Sequence, residues 1–391
     1  MSRLVRRVAV AGGVAVVAAA LLQGAGPAYA DVPAGGCALP ATGAALSEGI
    51  QNQGQFVPTS GTVAAKMIFV DFPDAPANGP TTALYQQVVP GGQQFFSTVS
   101  YGKLSLQVDA DTSRFYRMPR ASTAYGWQRG LTYEAHRQYI ADALAAVGRS
   151  TSFRGDQLLY IVPTRAASAI SFSPTFMGAI TAGDGTSLGK TVTFGQDIWN
   201  AGWGLKVLAH ETGHAMGLPD LYAFSGSDAH RFVGGWDLMG WIPGPSPDRF
   251  AWHKWKANWL AWDQVGCVTA PGRFTDTVTP VEQAGAGRKM TVIKTGATTV
   301  LVAEVRSRQG VDANACTTGV LIYSVDTAVA SGNGPIRVKD ARPGTTGCRQ
   351  HPLDDAAYDA GMSYVDSATG VRIDVVSRSG DTYTFNIAYR V

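Results

Sequence analysis

The segment "HETGHAMGLPD", His210–Asp220, decides how this 391-residue chain is read. His210 and His214 are four residues apart, so a helix places both imidazoles on one face, one turn apart. Two neutral imidazoles at that spacing can hold one Zn²⁺. Glu211 stands beside that face, where a carboxylate can reach a metal-activated water without ligating the metal, as a general base. The chain has six histidines and five glutamates. At that composition H-E-x-x-H arises by chance in roughly one such chain in a thousand, so solvated histidines on a surface helix are the weaker reading.

The flanking residues extend the pattern. "NAGWGLKVLA" reads as the first turns of the helix, with Leu205 and Leu208 as buried positions. Gly217 stands where the helix should stop, a residue able to take positive φ, and Pro219 forbids continuation. The forced turn swings Asp220 back toward the histidines as a third ligand. His230, in the polar loop "SGSDAHRF", competes for that place, because imidazole is a good zinc ligand. Glu282 and Glu304 are the candidates for a distant glutamate ligand, although neither sits in the helix pattern that such a ligand needs. The full spacing, H-E-x-x-H-x-x-G-x-x-D, resembles the metzincin signature with Asp in place of the third His. "GGWDLMG" then supplies Met239 as the residue for the methionine turn that this resemblance implies.

Length and a 45% hydrophobic content allow a large core and two domains. The 46 glycines, with many aromatics, suggest a loop-rich, partly β protein. Residues 1–30 carry Arg3, Arg6 and Arg7, a short apolar run, then Ala28-Tyr29-Ala30, the layout of a secretory signal peptide cleaved before Asp31. The expected protein is secreted and extracellular, with no stable membrane anchor. Arg3, Arg6 and Arg7 are the only charges in that segment, so its removal takes the formal charge from +3 to 0. Nothing in that balance suggests a nucleic-acid partner. Four cysteines, Cys37, Cys267, Cys316 and Cys348, suggest disulfides in an exported chain. Three pairings are open. Proximity favours Cys316–Cys348, leaving Cys37–Cys267, while Cys37 as a thiolate held on the active-site metal is the alternative.

Residues 31–60 read as a leader, either a propeptide or an N-terminal arm with little core of its own. "TVAAKMIFVDFPD" predicts a buried strand over 63–72, and "DQLLYIVP" a second. "GKTVTFGQDIW" predicts a third strand that leads into the metal helix. "ALYQQVVPGGQQFFSTVS" predicts short helical pieces. "GKLSLQVDADTSRFYRM" predicts strands, and "TYEAHRQYIADALAAVG" a helix ending at Gly148, with His136 on its face rather than on a metal. Trp252, Trp255, Trp259 and Trp262 are spaced 3, 4 and 3, which predicts one helical face. That face packs into a core, or else forms an aromatic platform. Lys254, Lys256 and Asn258 would occupy the other faces. From Cys267 onward, "KMTVIKTG", "TTVLVAEVRS", "GVLIYSVD" and "GVRIDVVSRSGDTYTFNIAY" are strand-like. Asp354, Asp355 and Asp359 read as a solvated acidic turn, with Ca²⁺ the alternative.

Several separated pieces resemble the secreted zinc metallopeptidases of the immune inhibitor A type, the M6 family. They are "MIFVDFPD", "FFSTVSYGKLSL", "HETGHAMGLPDLY", "GGWDLMG" and "LVAEVRSRQGVD…GVLIYSVD", which span most of residues 62–326. The resemblance implies an extracellular zinc endopeptidase acting on protein or peptide substrates, sometimes stabilised by calcium. The expected fold is α/β (α+β). A metzincin-like catalytic domain, 61–264, carries the zinc-binding active-site helix, and a β-rich C-terminal domain, 265–391, follows as a sandwich. The expected chemistry has His210, His214 and Asp220 as ligands of one zinc, Glu211 as general base, and the protein acting as a monomer. A non-catalytic wall- or carbohydrate-binding protein on the same scaffold is the rival from another class.

Overall fold

A computed structural model describes residues 35–50 and 53–391; the signal segment expected at 1–30 lies outside the described residues. Among the described residues no helix is long and apolar enough to cross a membrane. The chain builds a mixed α/β structure.

Its first sheet grows from β1 (Gly61–Asp71), an almost continuous apolar run. Such a run suits a strand covered on both faces. Around it follow α1 (Thr81–Val99), β2 (Leu104–Ala110), β3 (Tyr116–Arg117), α2 (Tyr133–Val147), β4 (Leu158–Pro163), β5 (Thr175–Phe176), β6 (Ile180–Thr181), β7 (Ser187–Leu188) and β8 (Thr191–Thr193). The sheet order is β2-β1-β4-β8-β5, with β3 also on β1. Pairings are parallel until the edge, where β5 runs antiparallel to β8. The pleat sorts side chains by parity. Met67 and Phe69 face a core shared with α1 and α3 (Gly204–Ala215), whereas Ile68 and Val70 face one shared with α2. Helix α3, which carries His210 and His214, therefore underlies the sheet.

The short helical pieces expected around Pro90 are one continuous helix, α1. Proline deletes one helix hydrogen bond, but the buried row Leu84, Val88, Phe95, Phe96 and Val99 holds the element together. Gly91 and Gly92 have a separate task. A Cβ on either would stand 2.7 Å or 2.6 Å from the side chain of Leu205 or Leu208 on α3, so glycine lets the two helices close on each other.

The β-rich second half is a pair of facing sheets. Its strands are β9 (Val265–Val268), β10 (Gly272–Val278), β11 (Met290–Lys294), β12 (Thr299–Arg306), β13 (Gly319–Asp326), β14 (Ile336–Val338), β15 (Ser363–Asp366), β16 (Val371–Ser379) and β17 (Thr382–Tyr389). They form sheets of order β14-β13-β12-β11-β9 and β10-β17-β16-β15. Ile293, Leu301 and Ile322 of the first interleave with Ile373, Phe385 and Ile387 of the second. The opposite face of the five-stranded sheet, including Met290, Val302 and Tyr323, packs on Trp236, Met239, Phe250, Trp252 and Trp255. That second core ties the sandwich to the segment that packs beneath α3.

Three sequence expectations change here. The tryptophan helix, α4 (Ala251–Lys256), is only six residues long, and Asn258 beyond it takes φ +60°. Trp252, Trp255 and Trp259 are buried all the same, and Trp262 is half-exposed. Lys254 and Lys256 are buried rather than solvated, because Asp248 and Glu48 meet them at 2.8 Å and 3.3 Å. Asp354 and Asp355 are buried too, and their carboxylates cap local groups. Asp354 accepts from the Arg349 amide at 2.9 Å and Asp355 from the Thr345 hydroxyl at 2.6 Å, while Asp359 accepts from Tyr383 at 3.1 Å.

Both disulfides pair as proximity suggested, Cys37–Cys267 and Cys316–Cys348, so Cys37 has no free thiol for a metal. Residues 35–50 carry more core than their composition suggested, since Cys37 and Leu39 are fully buried in the second core. Glu48 is also fully buried, with His253 at 2.8 Å and Lys256 at 3.3 Å. His253 in turn bonds Asp237 at 2.8 Å, and Asp237 holds the Met239 amide at 2.8 Å. Glu48→Gln should destabilise the protein by about 3–5 kcal/mol, the usual cost of breaking a buried pair from one side. Urea unfolding measures this, and a loss below about 1 kcal/mol would contradict it.

Candidate metal centre

The site begins with how α3 ends. Gly217 takes φ +90°, its amide donates to the His214 carbonyl at 2.8 Å, and the Leu218 amide returns to the Gly213 carbonyl at 3.0 Å. This left-handed closure satisfies the last helix carbonyls. Phe56 lies 2.9 Å from where a Gly217 Cβ would sit, so space as well as backbone conformation selects glycine. Pro219 then carries the chain out of the helix and Asp220 back over it.

As a result Asp220 Oδ1 stands 3.1 Å from His210 Nε2 and 3.2 Å from His214 Nε2. The other ring nitrogens face backbone carbonyls, His210 Nδ1 that of Leu238 at 3.0 Å and His214 Nδ1 that of Leu218 at 2.8 Å. A carbonyl only accepts, so each Nδ1 carries a proton and each Nε2 is the atom turned toward Asp220. Two ring nitrogens and a carboxylate oxygen therefore lie close together. Atoms gathered in this way could hold a cation, and a carbonyl-oriented imidazole is the usual support of a metal-ligating histidine. Nitrogen and oxygen donors of this kind suit zinc. Donor atoms of His210, Glu211 and His214 also lie within 4.8 Å of one another, so these three could hold a metal ion.

The charged groups of the site act on one another. Burial alone would lower His214, but the Asp220 carboxylate outweighs it and pushes the imidazole up to about 9. Burial would raise Asp220, but the two imidazoles hold it well below the usual carboxylate range. Glu211 goes the other way. Its burial raises it, and the neighbouring histidines offset this only in part. The Thr175 hydroxyl, from edge strand β5, lies 2.7 Å from Glu211 Oε2.

The rival ligands are placed elsewhere. His230 turns Nδ1 to the Gly240 carbonyl at 3.0 Å and stacks on Trp241 with ring centroids 4.7 Å apart. It lines the same cleft without touching Asp220. Glu282 and Glu304 are buried against Arg306, at 3.0 Å and 3.1 Å. His136 is a buried helix residue, its Nε2 3.0 Å from Thr193 Oγ1. Met239 is fully buried and packs under α3, its sulfur 2.9 Å from where a Gly213 Cβ would be. Met239→Leu should keep both fold and metal, since volume-conserving core swaps usually cost under about 1.5 kcal/mol. Thermal unfolding and metal content check this, and loss of metal alone would reveal a role for the sulfur.

Sequence reasoning missed four groups. Ser331 Oγ accepts from the Asp220 amide at 2.9 Å, across 111 residues. Thr175 braces Glu211 across 36. Tyr222 lies over His210, with ring centroids 6.3 Å apart. Arg129 lines the cleft beside Tyr222. Only Tyr222 carried a local signal, two residues past Asp220.

Two cavities meet at the site. One, of about 500 Å³, includes His210, Glu211, His230 and Trp241 in its wall. The other, of about 820 Å³, lies along Thr175, Phe176 and Met177. Arg129, Phe172, Tyr222 and Ala229 line both. The site is therefore a candidate metal centre, two histidines and a carboxylate with a second, proton-competent carboxylate, set in an open cleft beside a sheet edge. No protein-family model matches the chain, and no curated protein matches it.

Proposed function

We propose that this chain is a secreted zinc-dependent endopeptidase of the immune inhibitor A type. The observation that carries the reading is the convergence of His210 Nε2, His214 Nε2 and Asp220 Oδ1 beside the buried Glu211. His210, His214 and Asp220 would hold the metal. Zinc, when bound, supplies a Lewis acid that acidifies water and polarises a carbonyl.

The remaining work falls to the chain. Glu211 is buried beside the two histidines, and burial raises it, the direction that favours a group taking up a proton. Thr175 engages Oε2, which leaves Oε1 to accept the proton from water and return it to the leaving amine. The Leu238 and Leu218 carbonyls accept from both Nδ1–H groups and orient the imidazoles before any substrate arrives. Edge strand β5 offers its outer side to an extended peptide, a common way to align a backbone for cleavage. Two disulfides suit an oxidising, extracellular setting. The rival reading, a wall- or carbohydrate-binding protein, needed a platform of exposed tryptophans, and of the four only Trp262 is exposed while Trp252, Trp255 and Trp259 are buried.

The test is a peptide mixture incubated with the purified protein and read by mass spectrometry. Internal cleavages should appear, vanish with a zinc chelator and return with added zinc. Absence of cleavage, or cleavage indifferent to the chelator, overturns the proposal.

A further inference from the structure

The larger cavity has a composition the hydrolytic chemistry does not need. Eight large hydrophobic side chains are exposed among the described residues, and three of them, Tyr133, Met177 and Phe224, line this one cavity. Exposed apolar side chains gathered in a concave place mark a binding site. Their positions are held. Tyr133 stacks on Phe176 with centroids 4.7 Å apart and planes at 30°. The Phe224 amide donates to the Gly332 carbonyl at 3.0 Å, and its ring stands over Gly332, where a Cβ would come within 2.3 Å.

The cavity adjoins the candidate catalytic group through one residue. Thr175 lines it and also bonds Glu211 at 2.7 Å. Its lining contains no carboxylate. Arg129 is its one cation, because His136 is buried and burial pushes its imidazole down to about 4. A basic side chain entering there would meet a like charge and no counter-ion.

We infer that this cavity is the substrate-selecting subsite, and that it takes an aromatic or long aliphatic side chain and rejects lysine and arginine. The inference rests on the endopeptidase reading and names its substrate class. Direction follows from the strand. An extended chain on the free side of β5 pairs best antiparallel. Its N-terminal half then lies along Phe176 and Met177, so the selected side chain precedes the scissile bond.

The experiment uses a fluorogenic peptide series that varies one residue at a time on both sides of the bond, as Phe, Leu, Ala or Lys. The expected result is kcat/KM for Phe or Leu roughly ten- to hundredfold above Ala, with Lys below Ala, at a position before the bond. In Tyr133→Ala/Phe224→Ala the Phe-to-Ala ratio should fall to within about threefold; both side chains are more than half exposed, so the fold should survive their truncation. Arg129→Glu should relieve the penalty on Lys. Cleavage without apolar preference before the bond, or a preference for Lys, overturns the subsite while the peptidase reading stands. A second arm measures binding of the same peptides to Glu211→Gln by fluorescence anisotropy. If the wild type cleaves nothing but this variant prefers Phe over Ala peptides, the subsite stands and the peptidase reading falls. Equal binding of both peptides overturns the subsite.

Discussion

Glu211→Gln should retain one zinc per chain and lose hydrolysis by at least about a hundredfold, the lower end of what a positioned acid–base group contributes. The substitution preserves shape and can still accept from Thr175, which now sits 2.7 Å from Oε2. What it removes is the ability to take a proton. The structure gives this test a second edge, because a Glu211 oxygen is close enough to the two histidines to be a ligand itself. If Glu211 bound the metal, the amide would weaken zinc as well as activity. Metal content after gel filtration, measured beside kcat/KM, separates the two roles. Retained activity above a few per cent would exclude Glu211 as the base.

Asp220→Ala should strip the metal. Its Oδ1 lies 3.1 Å from His210 Nε2 and 3.2 Å from His214 Nε2, within reach of a metal shared by all three. Loss of a partner that only orients a ligand typically costs 10- to 100-fold in affinity, so loss of the ligand itself should exceed about 100-fold. His230→Ala should leave zinc affinity within about threefold. That ring is held by the Gly240 carbonyl and Trp241, and its reach toward the histidine pair is not part of the donor set. Equilibrium dialysis against a zinc buffer reads both variants. Zinc retained in Asp220→Ala and lost in His230→Ala would replace the third ligand, while the two-histidine core would stand.

The parts of this site that sequence foretells are the local ones. Helical spacing places His210 and His214 together, and Gly217 with Pro219 bends the chain so that Asp220 returns; the whole construction spans eleven residues. The groups that brace it come from far away, Thr175 from the sheet edge and Ser331 from the loop after β13, and no periodicity encodes such meetings. The same distinction explains the fold. β1 and β4 are legible because a strand covered on both faces is apolar throughout. α1 is misread as pieces because Pro90-Gly91-Gly92 is locally unfavourable, and only packing against Leu205 and Leu208 shows why glycine is there. Trp252 and Trp255 are buried as their spacing suggests, but by enclosure between the arm, the segment beneath α3 and the sandwich rather than by a long helix, and Trp262 stays exposed. Lys254 and Lys256 look solvent-facing until Asp248 and Glu48, remote or pre-helical in sequence, are seen to meet them.

The central claim is that one zinc, held by His210, His214 and Asp220, makes this chain a peptidase. It is tested most directly by titrating the chelator-stripped protein with zinc while following hydrolysis of an internally quenched peptide. The account predicts no hydrolysis at the start, a linear rise, and a break at one zinc per chain. Full activity before zinc is added, a break at another ratio, or no hydrolysis at saturation would contradict it.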